Sequence, residues 1–170
     1  MLDPAAIADF GHHSGAYGLL HTKYGWPITE IVHFLSIAVL FGSIGMLDLR
    51  LLGVAKALPV APLARLAPFG VAAFAVNVAT GALFFVNAPD QYMYNPAFQL
   101  KMTSIAIAGL NVLAFYSLAA KGVHAIEPGE NAPPLARLIA GVSLGAWLTV
   151  IIFGRLITYF RPPWHWCTWC

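Results

Sequence analysis

Charged residues are scarce in this sequence. Lysine, arginine, aspartate and glutamate make up 9% of the 170 residues, 59% are apolar, and the mean hydropathy is +0.74. Soluble globular domains carry about 25% charged residues. This shortage excludes an ordinary soluble domain, so we expect an integral membrane protein with a lipid bilayer around it and no nucleic-acid partner.

The usual motifs of hydrolases and transferases are also missing. The sequence has no glycine-rich phosphate loop, no pair of histidines at zinc-protease spacing and no serine elbow. It also lacks a pair of aspartates, or a serine and a histidine, at the matching depth that an intramembrane protease needs. No catalytic residue is therefore assigned, and we expect a protein without catalytic activity of its own.

Long apolar runs are what the sequence has instead. Four windows, 28–47, 66–85, 98–120 and 135–157, reach the roughly 20 residues that cross a bilayer as a helix. They run continuously and lack the alternation of barrel strands. Short connections with proline and glycine join them. The predicted fold is all-α, an antiparallel four-helix transmembrane bundle forming a single domain over residues 1–170.

The two ends of the chain are predicted to lie at the membrane surface, as tails over residues 1–25 and 161–170. Residues 1–25 lack the basic start and apolar run of a secretory signal. Within them, Asp3 as cap and Pro4 in the first turn predict a short interfacial helix.

The distribution of lysine and arginine predicts the orientation. The first and third connections are flanked by Arg50, Lys56, Arg65, Lys121 and Arg137. Outside the spans, the termini and the second connection have only Lys23 and Arg161. Positive charge favours the cytoplasmic side, so both termini are predicted on the periplasmic side of a bacterial inner membrane.

A layer of costly polar groups is predicted in the outer third of the membrane. His33 lies three residues after Glu30 on the first span, and the depth of the antiparallel helices brings it level with Asn87, Lys101, Ser104, Arg155 and Thr158. Charged side chains in hydrocarbon are expensive and mark functional sites. Asn77 and Asn111 are predicted to meet near the midplane as structural contacts, bonded to each other or to backbone.

Several blocks resemble a known family. They are "WPITEIVHFLSIAVLFGSIGMLDLRLLG", "LPVAPLARLAPFG", "ATGALFFVNAPDQYMYNPAFQLK" and "SLGAWLTVIIFGRLITY". Over residues 26–159 they resemble an uncharacterised bacterial family of small four-helix membrane proteins, known only as a domain of unknown function. The resemblance implies the motif positions Trp26, Pro27, Glu30, His33, Asp48, Arg50, Thr80, Gly81, Asn95, Pro96, Lys101, Trp147, Gly154 and Arg155, and no activity. More distantly, a first-helix histidine is similar to copper-resistance inner-membrane proteins and b-type cytochrome bundles.

One hypothesis is a redox subunit that binds haem b. His33 supplies an axial nitrogen, Glu30 orients it, Lys101 and Arg155 pair with the propionates, and Asn87 and Ser104 line the site. No other span offers a histidine at that depth. The second axial ligand then has to be His13 or His21 from the N-terminal tail, a methionine such as Met93, or a histidine from another subunit.

A second hypothesis is handling of copper or a similar soft metal at the outer face. Imidazole and thiolate ligands suit copper and zinc. The candidate ligands are His12, His13, His21, His33, His165, Cys167 and Cys170. The middle of the bundle offers few ligands, which favours sensing or delivery over transport.

A third hypothesis is an accessory subunit without a cofactor, which binds lipid and packs against other membrane subunits or a second copy of itself. Small residues in "FGSIG" and in Ala140, Gly141, Gly145 and Ala146 favour close helix approach, although packing within the bundle uses the same residues.

The tail "RPPWHWCTWC" leaves its own alternatives open. On the outer side of the membrane, Cys167 and Cys170 are predicted to form a disulfide. Their spacing also suits a metal with His165 as third ligand and His12 or His13 as fourth. Attachment of c-type haem needs a histidine directly after the second cysteine, where this sequence ends.

Overall fold

The computed structural model describes residues 3–160, apart from the side chain of His124. All regular structure in this part is helical. The helices are α1 (Pro4–His13), α2 (Ala16–Leu20), α3 (Gly25–Leu52), α4 (Val60–Ala64), α5 (Ala67–Asn87), α6 (Pro89–Met93), α7 (Pro96–Ala114), α8 (Ala120–His124) and α9 (Pro134–Leu156), with a π-helical turn (Phe115–Ala119) between α7 and α8. The tail with His165, Cys167 and Cys170 lies outside the described residues.

Four helical stretches are long and apolar enough to cross a membrane. They are Gly25–Leu52, Val60–Asn87, Pro96–Val123 and Pro134–Leu156. These stretches confirm the four predicted windows. Three of them extend past both ends of the window, because polar residues such as Asp48 and Arg50 continue the helix after the apolar run has ended.

Local capping chemistry sets the helix boundaries. The carboxylate of Asp3 accepts a hydrogen bond of 2.9 Å from the backbone N–H of Ala5, and Pro4 follows in the first turn, which confirms the predicted start of α1. At the other end of the first span, Gly53 takes a left-handed φ of 94° and ends α3. A side chain would strain that position, so glycine suits it.

The N-terminal helices rest on α5. Gly11 of α1 is buried, and a Cβ there would lie 2.6 Å from the carbonyl oxygen of Val86. The side-chain amide of Asn87 reaches the carbonyl of Ala16 in α2 at 3.4 Å. Because no larger residue fits at position 11, the close approach of α1 to α5 depends on this glycine.

The long helices follow the order α5, α3, α9, α7. The extensive contacts between them join α3 to α5, α3 to α9 and α7 to α9. Alanines make up much of the buried core, whereas large apolar side chains such as Phe69, Leu110 and Leu138 point outward. This distribution leaves apolar outer surfaces of the kind that face lipid.

Asn95 is fully buried and joins two of the long helices. Its side-chain oxygen accepts a hydrogen bond of 3.0 Å from the backbone N–H of Ala97 and so caps α7. Its side-chain nitrogen donates to the carbonyl of Ile157, just after α9, at 2.9 Å. One amide therefore fixes the start of α7 against the end of α9.

Arg50 anchors the opposite end of the bundle. Its side chain is 0% exposed, and its guanidinium donates to three backbone carbonyls: Leu58 at 2.6 Å, Glu130 at 3.2 Å and Glu127 at 3.1 Å. These carbonyls belong to the first and third connections. The planar fork of an arginine suits such divergent acceptors, so Arg50 holds the two connections together.

We predict that Arg50→Ala destabilises the protein by about 3 kcal/mol, because three backbone carbonyls lose their charged donor and the buried side chain leaves a cavity. Unfolding by heat or by sodium dodecyl sulfate in detergent solution measures the change. Arg137→Ala is the matched control, because this arginine is exposed; its effect should stay within about 0.5 kcal/mol. Equal losses in the two variants would contradict the role given to Arg50.

Candidate functional site

His33 of α3 points toward α5 and forms a hydrogen bond there. Its Nδ1 lies 2.7 Å from the hydroxyl oxygen of Thr80, and the imidazole is half-buried. Both residues lie within the long apolar stretches, where an unpaired polar group is costly. The contact therefore fixes the ring of His33 against the second long helix.

The surroundings of Thr80 decide which nitrogen of His33 carries the proton. The Thr80 hydroxyl lies 2.9 Å from the carbonyl oxygen of Val76 and 3.0 Å from that of Asn77. Its single proton has to go to these acceptors, because otherwise lone pairs would face each other. Nδ1 of His33 is then the donor to Thr80, and Nε2 keeps its lone pair. A histidine that binds a metal has this arrangement, with one nitrogen held and the other open.

A second polar contact lies one helical turn away. The side-chain nitrogen of Asn77 donates to the carbonyl of His33 and to the hydroxyl of Ser36, both at 3.0 Å. The hydroxyl of Ser36 in turn donates to the carbonyl of His33 at 2.8 Å. Together with Thr80, these groups form a polar knot between α3 and α5, defined here as His33, Ser36, Asn77 and Thr80.

Asn77 and Asn111 follow the backbone alternative of their prediction, because each side-chain amide donates to a backbone carbonyl and not to the other asparagine. Asn77 belongs to the polar knot, whereas the side chain of Asn111 donates to the carbonyl of Ile139 in α9 at 3.0 Å. The physical reason is the direction in which each side chain points, toward α3 for Asn77 and toward α9 for Asn111. The expectation that both asparagines are structural contacts is consistent with these bonds, which join neighbouring helices.

Aromatic rings and a glycine surround the imidazole. The ring of Phe84 meets that of His33 edge-on, with centroids 5.8 Å apart, and Trp26 packs on Phe84 at 4.9 Å. A Cβ on Gly81 would lie 3.7 Å from Cε1 of His33. Phe84 and Trp26 therefore cover the polar knot on the side nearer the start of α3.

Lys101 brings positive charge to this region from α7. Its side chain crosses Gly154 of α9, where a Cβ would lie 3.6 Å from the Lys101 nitrogen. Gly154 therefore gives the lysine side chain its path across α9, and the shared layer of His33 and Lys101 stays a prediction.

Two other predicted members of the site point away from it. Glu30 and Arg155 are exposed, and neither forms a hydrogen bond or ion pair through its side chain with the described residues. The group that orients His33 is therefore Thr80 rather than Glu30. Of the two predicted cations, Lys101 is half-buried against Gly154, whereas Arg155 is exposed.

Asn87 and Ser104 have partners outside the polar knot. Asn87 donates to the carbonyl of Leu83 at 2.8 Å, and its Oδ1 is buried without a hydrogen bond in the described part of the chain. Ser104 is buried and donates to the carbonyl of Leu100 in its own helix at 2.9 Å. Asn87 therefore keeps one open acceptor, whereas Ser104 is satisfied locally.

The N-terminal histidines lie at the protein surface. The rings of His12 and His21 pack on Tyr17, with centroids 3.9 Å and 3.7 Å away, and His13 bonds to the carbonyl of Asp9 at 2.9 Å. Over residues 3–160, no three histidine, cysteine or acidic side chains are grouped closely enough to hold a metal ion. The remaining predicted ligands, His165, Cys167 and Cys170, lie outside the described residues.

Sequence reasoning missed Thr80 as the partner of His33. The signal was present in the spacing: His33 and Ser36 lie three residues apart on α3, and Asn77 and Thr80 lie three apart on α5. Residues at this spacing share a helix face. The pair on α3 faces the pair on α5, so His33 contacts Thr80 and, one turn further along, Ser36 contacts Asn77.

Comparison with known proteins gives a family and no activity. No curated protein and no solved structure matches the chain. A family model, described as a family of unknown function (DUF6644), matches residues 2–160. This match confirms the predicted resemblance to an uncharacterised family and also includes the N-terminal helices, which the resemblance had left out. The chain belongs to the family of unknown function DUF6644.

Proposed function

We propose that the protein is a small subunit of a bacterial inner membrane that spans the bilayer as an antiparallel four-helix bundle. The length of the four apolar stretches and their outward-facing large side chains support this proposal. Both termini lie on the periplasmic side, as the arginines and lysines around the first and third connections favour. His33 and Lys101 then belong to the outer part of the membrane.

The site around His33 binds a redox group or a metal, and it serves electron transfer or metal handling. The observation that carries this proposal is the held imidazole: Nδ1 donates to Thr80 at 2.7 Å, which leaves Nε2 open as a ligand nitrogen. A purely structural histidine is expected to use both nitrogens when apolar groups surround it. Nε2 has no hydrogen-bond partner in the described part of the chain.

Haem b fits the described residues better than a lone copper ion. One imidazole suffices for one axial position of haem iron, whereas a protein copper site takes several ligands from its protein. The absence of a three-ligand group over residues 3–160 speaks against a closed copper site there. A bound haem supplies one-electron redox chemistry. His33 would hold its iron, and Lys101 would pair with a propionate.

The second candidate function is that of an accessory subunit without a cofactor. Its support is geometric: Gly42, Gly109 and Gly145 are exposed, and a Cβ on any of them would meet nothing within 4 Å. Open glycines on α3, α7 and α9 let a helix of another subunit or of a second copy approach closely. Lipid covers these faces where no subunit does.

We predict that the purified protein shows a Soret band and that His33→Ala abolishes it, because the variant loses the ligand nitrogen. Thr80→Val keeps the imidazole but removes its hydrogen bond, so cofactor retention should fall on the order of 10- to 100-fold. The visible spectrum together with elemental analysis of iron and copper measures both effects.

His13→Ala is the matched control for this experiment. His13 is exposed and bonds within α1, so its replacement should leave the bound cofactor unchanged. Retention of the full Soret band or metal content in His33→Ala would contradict the assignment of His33. A wild-type protein without chromophore and metal would refute both cofactor proposals, and co-purification of a larger membrane complex would then support the accessory function.

The orientation gives a separate prediction. In a variant with Cys167 and Cys170 replaced by serine, one new cysteine is placed either at Asp90 or at Lys121, both of which are exposed. A maleimide that does not cross membranes should label Asp90→Cys on cells with a permeabilised outer membrane, and Lys121→Cys only after the inner membrane is opened. The reverse pattern would place the termini in the cytoplasm.

A further inference from the structure

A buried carboxyl group lies in α3, some four turns away from His33 along the helix. Asp48 is 5% exposed, and its Oδ2 is buried without a hydrogen-bond partner in the described part of the chain. Ser143 in α9, itself 6% exposed, places its hydroxyl group next to the Asp48 carboxyl group, where it can act as a hydrogen-bond partner. A carboxyl group that is buried without a neutralising partner is costly in its ionised form and therefore calls for an explanation.

No described cation neutralises this carboxyl group. The ion pair found among residues 3–160 joins His13 to Asp9, both in α1, which precedes the other end of α3. Arg50 is two residues away on the same helix, but its guanidinium is taken by three backbone carbonyls. On the elements around this end of α3, Arg65, Lys121 and Arg137 are exposed and Lys56 is half-buried.

We propose that Asp48 and Ser143 form a proton-binding site, in which the Asp48 carboxyl group holds one proton at neutral pH. An ionised carboxylate with one oxygen unpaired in apolar surroundings is far more costly than a neutral carboxylic acid with the same contacts. The proton is the cation that needs no further ligand, whereas a metal ion needs several, and the described residues hold no group of three histidine, cysteine or acidic side chains that could supply them.

Ser143 suits both protonation states of its neighbour. A hydroxyl group rotates, so it can accept a hydrogen bond from the carboxylic O–H or donate one to a carboxylate. In the first case the proton lies on the oxygen that faces Ser143, and Oδ2 is a neutral carbonyl oxygen. The step is a simple equilibrium, in which one carboxylate and one proton give one carboxylic acid. An arginine or lysine in place of Ser143 would stabilise only the ionised form.

Infrared difference spectroscopy of the full-length protein tests the proposal. At neutral pH the wild-type protein should show the C=O stretch of a protonated carboxylic acid, which shifts in deuterium oxide and is absent from Asp48→Asn. Ser143→Ala should move this band to higher frequency, because the acid loses its hydrogen bond. Asp90→Asn is the matched control, since it removes an exposed carboxyl group and should leave the band unchanged.

A second measurement covers the case in which Asp48→Asn does not fold. Carbon-13 labelling of aspartate in the unmutated protein should shift the same band to lower frequency, and raising the pH should remove it. A wild-type spectrum without a protonated aspartate band at neutral pH would overturn the proposal, as would a band that persists in folded Asp48→Asn. These outcomes do not depend on His33, because the proton site exists with or without a cofactor.

Discussion

A buried polar side chain in the four long helices needs a hydrogen-bond partner from the protein itself, because an apolar environment provides no water to replace it. The contacts between helices follow from this constraint. Asn77 bonds to α3, Asn111 bonds to α9, and Asn95 joins α7 to the end of α9. Backbone carbonyls accept most of these bonds, so each contact also fixes the axial position of a helix.

The same constraint separates the polar groups that are satisfied from those that are not. Arg50 is the most deeply buried charged residue described, yet it gives a poor functional candidate, since three carbonyls occupy its guanidinium. His33 and Asp48 are less completely paired. One keeps an open nitrogen and the other an open oxygen, and a ligand or a proton completes each of them.

The sequence predicts the coarse fold well, and the physical reason is that helix length and apolarity follow directly from composition. All four apolar windows are helical, and the Asp3 cap starts α1 where expected. The site is predicted less completely. Depth along each helix placed His33 and Lys101 in one layer, but depth does not give the direction in which a side chain points around the helix axis.

The unknown direction of each side chain around its helix axis explains where the predicted site differs from the structure. Glu30 and His33 share a depth and nearly a face, yet only His33 turns toward α5, and Glu30 is exposed. Asn77 and Asn111 share a depth, yet Asn77 points toward α3 and Asn111 points toward α9. The order of the helices in the bundle decides both cases, and it depends on the packing of many small residues rather than on any single motif.

The order of the helices also links the two proposed sites. Lys101 belongs to α7, which makes its extensive helix contacts with α9, and α9 packs in turn against α3. Asp48 and Ser143 form a polar contact in that same interface between α3 and α9. A proton on Asp48 keeps this interface neutral and lets the two helices stay closely packed. An ionised carboxylate would draw water or a counter-ion into the contact and separate the helices. The proton proposed on Asp48 therefore stabilises the same interface through which α9, and with it α7 and Lys101, is held against α3.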